Sequence, residues 1–174
     1  MASLTTFKGN ADFAQMLVDT EVEFLVFGGL AVVFYKCRNP DNFDDIDLLL
    51  NPSAQNAERF ISVLSSPNLK KFHNLELDCL PSVPQLARPN FHMALKFTLQ
   101  ELPILNIDVF TPADDVNFDE LFSRSECALL DRGRNIPVRV ISRPDLVEMK
   151  RRAVRMLSKD IKKHEDDLQC LEAV

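Results

Sequence analysis

Asp45 and Asp47 are the residues of this chain best suited to chemistry. They lie in Asp44-Asp45-Ile46-Asp47-Leu48-Leu49-Leu50, whose alternation predicts a β-strand. Two apart on a strand, both carboxylates leave on one side, while Ile46, Leu48 and Leu50 point the other way into a core. Like charges so close repel, and a purely structural strand gains nothing from them. A bound divalent cation supplies a reason, because carboxylate oxygens are the ligands that Mg²⁺ or Mn²⁺ prefer. The competing reading is two exposed acids on an edge strand. A second feature precedes the pair: Phe24-Leu25-Val26-Phe27, then Gly28-Gly29, then Leu30-Ala31. It reads as an apolar strand and a Gly-Gly turn opening an apolar helix. Glycines lack Cβ, so a phosphate can approach the backbone, and free N–H groups at a helix start point toward an anion. A lone Gly-Gly is most often only a tight turn; followed by the carboxylate pair, it describes a nucleoside triphosphate site.

The elements that must position these groups are legible in outline. Asn10–Thr20 carries Phe13, Met16 and Leu17 at helical spacing. Glu23–Phe27 is expected as a strand and Leu30–Tyr35 as a buried helix, with Asn39-Pro40-Asp41-Asn42 as loop. Ser53 is placed to cap a helix through Leu64, with Ala57, Phe60, Ile61 and Leu64 as its apolar face. Four prolines between Ser65 and Asn90 break any long element there. His92–Leu99 and Ile104–Phe110 are expected as antiparallel strands, with Leu105, Ile107 and Val109 on one face and Asp108 on the other. Phe118–Arg124 reads as a helical turn. Ala128–Asp131 and Val138–Ile141 flank a hairpin signal at Asp131-Arg132-Gly133-Arg134, and Ser142 opens the first of two final helices.

The chain has 174 residues, 46% hydrophobic and 26% charged, with no repeat, linker or low-complexity segment, so one domain over 1–174 is expected. A net charge of −6 and a pI near 5.1 argue against a dedicated nucleic-acid coat. The segment from Arg132 to Lys163 is nevertheless basic, and Arg151, Arg152 and Arg155 are expected on an outward helix face. Cys37, Cys79, Cys127 and Cys170 have no C-x-x-C spacing; they read as small apolar fillers in a reducing cytosol rather than a disulfide scaffold. No signal peptide and no apolar run of about 18 residues is present, which predicts a cytoplasmic protein without a membrane span. His73, His92 and His164 share no ligand spacing and read as structural or exposed.

Gly-Gly-Leu-Ala, a following Arg38, Asp-Ile-Asp-Leu-Leu and a later Ile-Asp-Val-Phe together resemble the nucleotidyltransferase superfamily of the polymerase-beta type. The nearest likeness is to the small bacterial AbiEii-like and minimal nucleotidyltransferases. Asp145-Leu146-Val147-Glu148-Met149-Lys150 is similar to that group's Lys-bearing helix, and Lys159-Asp160 to Asp166-Asp167-Leu168 is similar to its charged final helix. The resemblance implies an α/β fold: a small mixed sheet flanked by helices over about 22–141, with C-terminal helices over about 143–172. It makes Gly28 and Gly29 the phosphate-contacting turn and Asp45, Asp47 and Asp108 the catalytic, metal-binding carboxylates. Arg38 and Lys150 become nucleotide-binding cations; read as residues alone, both also fit a solvated surface. Two departures stand out. Phe43 occupies a position where the family usually has Thr or Ser, and could serve as an apolar wall for a base; the loop from Arg38 to Asp45 is also longer than is common.

The activity implied is metal-dependent transfer of a nucleoside monophosphate from an NTP to a hydroxyl, releasing pyrophosphate. Candidate acceptors are an RNA end, a protein hydroxyl or a small molecule. Two alternatives stay open: a silent nucleotide-binding partner of toxin–antitoxin type, and phosphoryl transfer from the same site.

Overall fold

A computed structural model of the protein describes residues 8–39, 45–66, 80–97, 105–130, 133, 135–156 and 161–173. Six strands form one mixed sheet: β1 (Phe24–Phe27), β2 (Asp45–Leu50), β3 (His92–Phe97), β4 (Leu105–Phe110), β5 (Glu126–Leu129) and β6 (Pro137–Val140). The order is β3-β4-β2-β1-β6-β5. β2 runs antiparallel to β1 and parallel to β4, and the antiparallel hairpins β3–β4 and β5–β6 close the two ends. The seven helices among the described residues are α1 (Lys8–Asp19), α2 (Gly28–Phe34), α3 (Ala54–Leu64), α4 (Val83–Leu86), α5 (Phe118–Arg124), α6 (Arg143–Met156) and α7 (Ile161–Glu172).

Strand alternation assigns the two faces. Ile46, Leu48 and Leu50 of β2 and Ile107 and Val109 of β4 enter the main core, which also takes Phe13 and Leu17 of α1 and Phe60 of α3. On the opposite face, Leu25 and Leu49 pack with Phe118 and Leu121 of α5 in a smaller core. Asp45 and Asp47 share Leu49's side of β2, so the small core forms the floor from which they rise. At 25 cal/mol per Å², burying each such Leu or Phe contributes roughly 1.5–3 kcal/mol.

Polar contacts fix the joints. Ser53 caps α3 by accepting from the Asn56 N–H. Asn56 itself is buried: its Oδ1 accepts from the Glu23 N–H at 2.7 Å, and its amide donates to the Glu23 and Asn51 carbonyls. That ties the start of β1 to the end of β2. In the proline-broken stretch α4 is one turn with a proline near its start, closed by the Ser82 N–H donating to Gln85 Oε1 and anchored by buried Leu86.

The expected elements recur with small shifts. The helix of the Gly-Gly turn begins at Gly28 rather than Leu30, and β1 begins at Phe24. Within the Asp131–Arg134 hairpin signal only Gly133 is described. Phe43, His73, Cys79, Leu99, Ile104, Lys159 and Asp160 also lie outside the described residues.

The cysteine reading is corrected. Cys37 and Cys170 form a disulfide, with Cα atoms 5.6 Å apart across a separation of 133 residues. Pairs so distant in sequence are set by tertiary proximity, which spacing does not encode. Cys127 is free and exposed.

Candidate active site

β2 and β4 lie in parallel register with Asp47 opposite Asp108 and Asp45 opposite Asn106. Three carboxylates therefore stand on one face of two adjacent strands. Each is held by a hydrogen bond. Asp45 Oδ1 accepts from the Asn106 amide at 3.1 Å, Asp47 Oδ2 from the Gly29 N–H at 3.2 Å, and Asp108 Oδ1 lies 2.7 Å from His92 Nε2.

Asp47 is the strained member electrostatically. Burial, followed by the charges of Asp108 and Asp45, pushes its carboxyl up to about 6 against the lowering effects of the Gly29 N–H and Lys150. Gly28 explains how it fits. Gly28 has φ +62°, and a Cβ there would stand 1.8 Å from Asp47 Oδ2 and 2.8 Å from Asp47 Cβ. The first requirement on this glycine is thus the close approach of Asp47 across the β1–β2 pair, where Phe27 faces Asp47.

Opposite the carboxylates stands a cationic wall. Lys150 of α6, 7% exposed, lies 2.8 Å from Asp167 Oδ2 of α7. Arg38 grips the same carboxylate with two nitrogens, at 2.5 and 2.6 Å. Lys150 Nζ is also 3.4 Å from His164 Nδ1. Burial lowers the pKa of Lys150, and of His164, where the Lys150 charge adds to it. The Cys37–Cys170 bond lies beside this network, one residue from Arg38 and three from Asp167. Between the walls is a cleft of about 330 Å³. It brings together Gly28, Gly29, Asp45, Asp47, Arg38 and Lys150, with Phe27, Phe110, Met149 and Ala153 as its apolar side. Asp108 joins through the strand register.

Hard oxygen donors and a buried carboxylate crowded by like charge fit a divalent cation. Among the described residues, however, no three His, Cys, Asp or Glu side chains already converge as a metal cage. The internal hydrogen bonds of Asp45, Asp47 and Asp108 hold their oxygens on separate partners.

Three participants escaped sequence reasoning. His92 has the parity of Asp108's face: Met93 and Leu95 point coreward, so the register of the expected β3–β4 hairpin carries the signal. Asp167 is a buried acid one turn before the buried Leu171, and His164 lies a further turn back. The basic face of α6 also differs from a free cationic strip. Arg151 pairs with Glu172 at 2.8 Å, Arg152 with Asp115 at 2.9 Å and Glu148 at 3.2 Å, and Arg155 with Glu148 at 3.6 Å.

No protein-family model matches the sequence, and no curated protein matches it. Solved structures do. An antigenic nucleotidyltransferase-like protein from Paracoccidioides brasiliensis superposes with a TM-score of 0.61 at 12% identity, covering 92% of this chain and 72% of that one. The lincosamide antibiotic adenylyltransferase LnuA, with lincomycin bound, gives 0.52 at 14% identity over 97% and 98% of the two chains. ANT(2")-Ia in complex with adenylyl-2"-tobramycin gives 0.50 at 17% identity over 93% and 84%. The chain has the nucleotidyltransferase fold, a mixed sheet with helices on its faces and at its C-terminus. No helix among the described residues is long and apolar enough to cross a membrane.

Proposed function

We propose that this protein is an enzyme that transfers a nucleoside monophosphate from an NTP to a hydroxyl acceptor and releases pyrophosphate. One observation carries this reading: Asp45 and Asp47 line a cleft together with Arg38 and Lys150, and Asp108 stands beside Asp47 on the same face of the adjacent strand. Phosphates need cations on one side and a charge-neutralised route to the acceptor on the other. Lys150 and Arg38 bind the triphosphate, Gly28 and Gly29 admit it to the backbone, and the apolar side at Phe110, Met149 and Ala153 seats the base. Asp108, 30% exposed, takes the proton of the acceptor hydroxyl. Mg²⁺ or Mn²⁺ would be held by Asp45, Asp47 and Asp108 and would supply neutralisation of phosphate charge. Residues 1–174 act as one nucleotidyltransferase unit.

The fold neighbours include a lincosamide antibiotic adenylyltransferase with lincomycin bound and a protein in complex with adenylyl-2"-tobramycin, which supports a small-molecule hydroxyl as acceptor. A protein hydroxyl is compatible with the same partly exposed carboxylate. An RNA end is less favoured, because the α6 arginines are engaged with carboxylates.

A second reading, a catalytically silent nucleotide-binding partner of an AbiEii-like toxin–antitoxin pair, has one observation in its favour. Both phosphate-facing cations are already paired with Asp167. Incubation with each α-³²P-labelled NTP, Mg²⁺ and cell extract separates the readings. Label in an acceptor with equimolar pyrophosphate supports transfer. Binding of NTP without turnover supports the silent partner, and nucleoside diphosphate as product means phosphoryl transfer instead.

A further inference from the structure

We infer that His92 is a positioning residue for Asp108, holding the carboxylate that receives the acceptor proton; this rests on the nucleotidyl-transfer reading. His92 opens β3 directly across from Phe110, and Asp108 faces Ala94, so His92 and Asp108 are diagonal neighbours on the cleft side of the hairpin. Nε2 meets Asp108 Oδ1 at 2.7 Å. The ring lies flat on Phe110, with centroids 4.4 Å apart and planes 17° apart. Phe110 in turn meets Phe27 edge-on at 5.2 Å and 85°. Phe27 immediately precedes Gly28. A ladder of three rings thus connects the phosphate turn to the third carboxylate.

Stability is a weak reason for this arrangement. The His92 side chain is 51% exposed, and exposed pairs contribute little. Geometry is the stronger reason. Asp108 stands directly beside Asp47 in the strand register, and the contact from His92 Nε2 fixes one of its carboxylate oxygens. The ring is itself held in plane by stacking on Phe110. Neither Asn106 nor Ala94, the strand residues flanking Asp108's position, supplies that contact. Asp108 as a base needs its oxygen at the hydroxyl within hydrogen-bond reach, and small displacements are expensive in rate.

Two variants separate the parts. His92→Phe keeps the ring on Phe110 and removes the donor; His92→Gln keeps a donor and removes the ring. Pyrophosphate release would be followed with the NTP and the extract fraction that take label in the wild type, and NTP affinity by calorimetry with Mg²⁺. The expected result is a kcat about ten- to a hundredfold lower in His92→Phe. NTP affinity should stay within about twofold, with part of the rate restored in His92→Gln. A His92→Phe kcat within about twofold of wild type overturns the inference, as does a loss confined to NTP affinity. Wild-type protein that releases no pyrophosphate with any NTP overturns the transfer reading itself, a distinguishable failure. Should His92→Phe not fold, imidazole ¹⁵N–¹H spectra of the wild type decide. One tautomer protonated at Nε2, lost in Asp108→Ala, supports the pairing; a tautomer mixture in the wild type overturns it.

Discussion

Asp47 is the residue where packing and charge conflict most. It is admitted by Gly28, held by the Gly29 N–H and pushed up to about 6 by burial and then by its neighbours' charges. Gly28→Ala should therefore cost at least about 2 kcal/mol, combining a left-handed backbone penalty with displacement of Asp47. That is a melting shift of roughly 4–8 °C for a chain of this size, read by calorimetry. The raised pKa has a signed consequence in metal-free protein. The folded state holds this proton more tightly than the unfolded chain, so the contribution is full below 3.8 and is lost as pH rises to about 6. Asp47→Asn should flatten stability between pH 4 and 6 and gain roughly 2–3 kcal/mol over wild type at pH 7, measured by urea unfolding. The same variant should release no pyrophosphate and lose the Mg²⁺-induced rise in melting temperature. Retained turnover would remove the carboxylates from the mechanism.

Helix α7 is the element that turns separate side chains into a cleft. Its Asp167 binds α6 and the end of α2's following turn through Lys150 and Arg38, and its Cys170 fastens the same turn covalently through Cys37. Leu171 is its apolar anchor in the main core. The disulfide and the ion pairs do the same mechanical work, so losing one loads the other. Cys37→Ser with Cys170→Ser should cost about 2–4 kcal/mol, by the loop entropy returned to the unfolded chain. It should also weaken NTP binding, because Arg38, Lys163 and His164 line the cleft from the two elements it joins. Reductant added to the wild type should reproduce both effects; an unchanged melting temperature under reduction would show that the bond is not a support.

For the molecule as a whole, the balance of charge across the cleft matters more than any one pair. Three carboxylates face a triad of two cations on one buried acid, Asp167, 3% exposed. Removing that acid takes from Arg38 and Lys150 the buried carboxylate they share. Asp167→Ala should cost about 3–5 kcal/mol. A phosphate chain would replace the lost carboxylate, so ATP or pyrophosphate should restore more of the melting temperature in this variant than it adds to wild type. Equal ligand shifts in the two proteins would place the triphosphate elsewhere.

Local rules determined the strands, most helix starts and the one-sided placement of Asp45 and Asp47, because period-two alternation, Ser53 as a cap and proline act through near neighbours in the chain. The Gly-Gly turn was legible as a place of close approach, but not that Asp47's own carboxylate is what approaches. His92 was within reach once β3 and β4 were paired, since parity alone puts it beside Asp108. The Arg38–Asp167–Lys150 triad, the Cys37–Cys170 bond and the pairing of α6's arginines were not legible. Each joins groups far apart in sequence, and only the docking of α6 and α7 against the sheet sets those distances. Ion pairs and disulfides fall off within a few ångströms, so tertiary packing decided which charges meet and which cysteines bond, while the backbone pattern decided only the faces on which they stand.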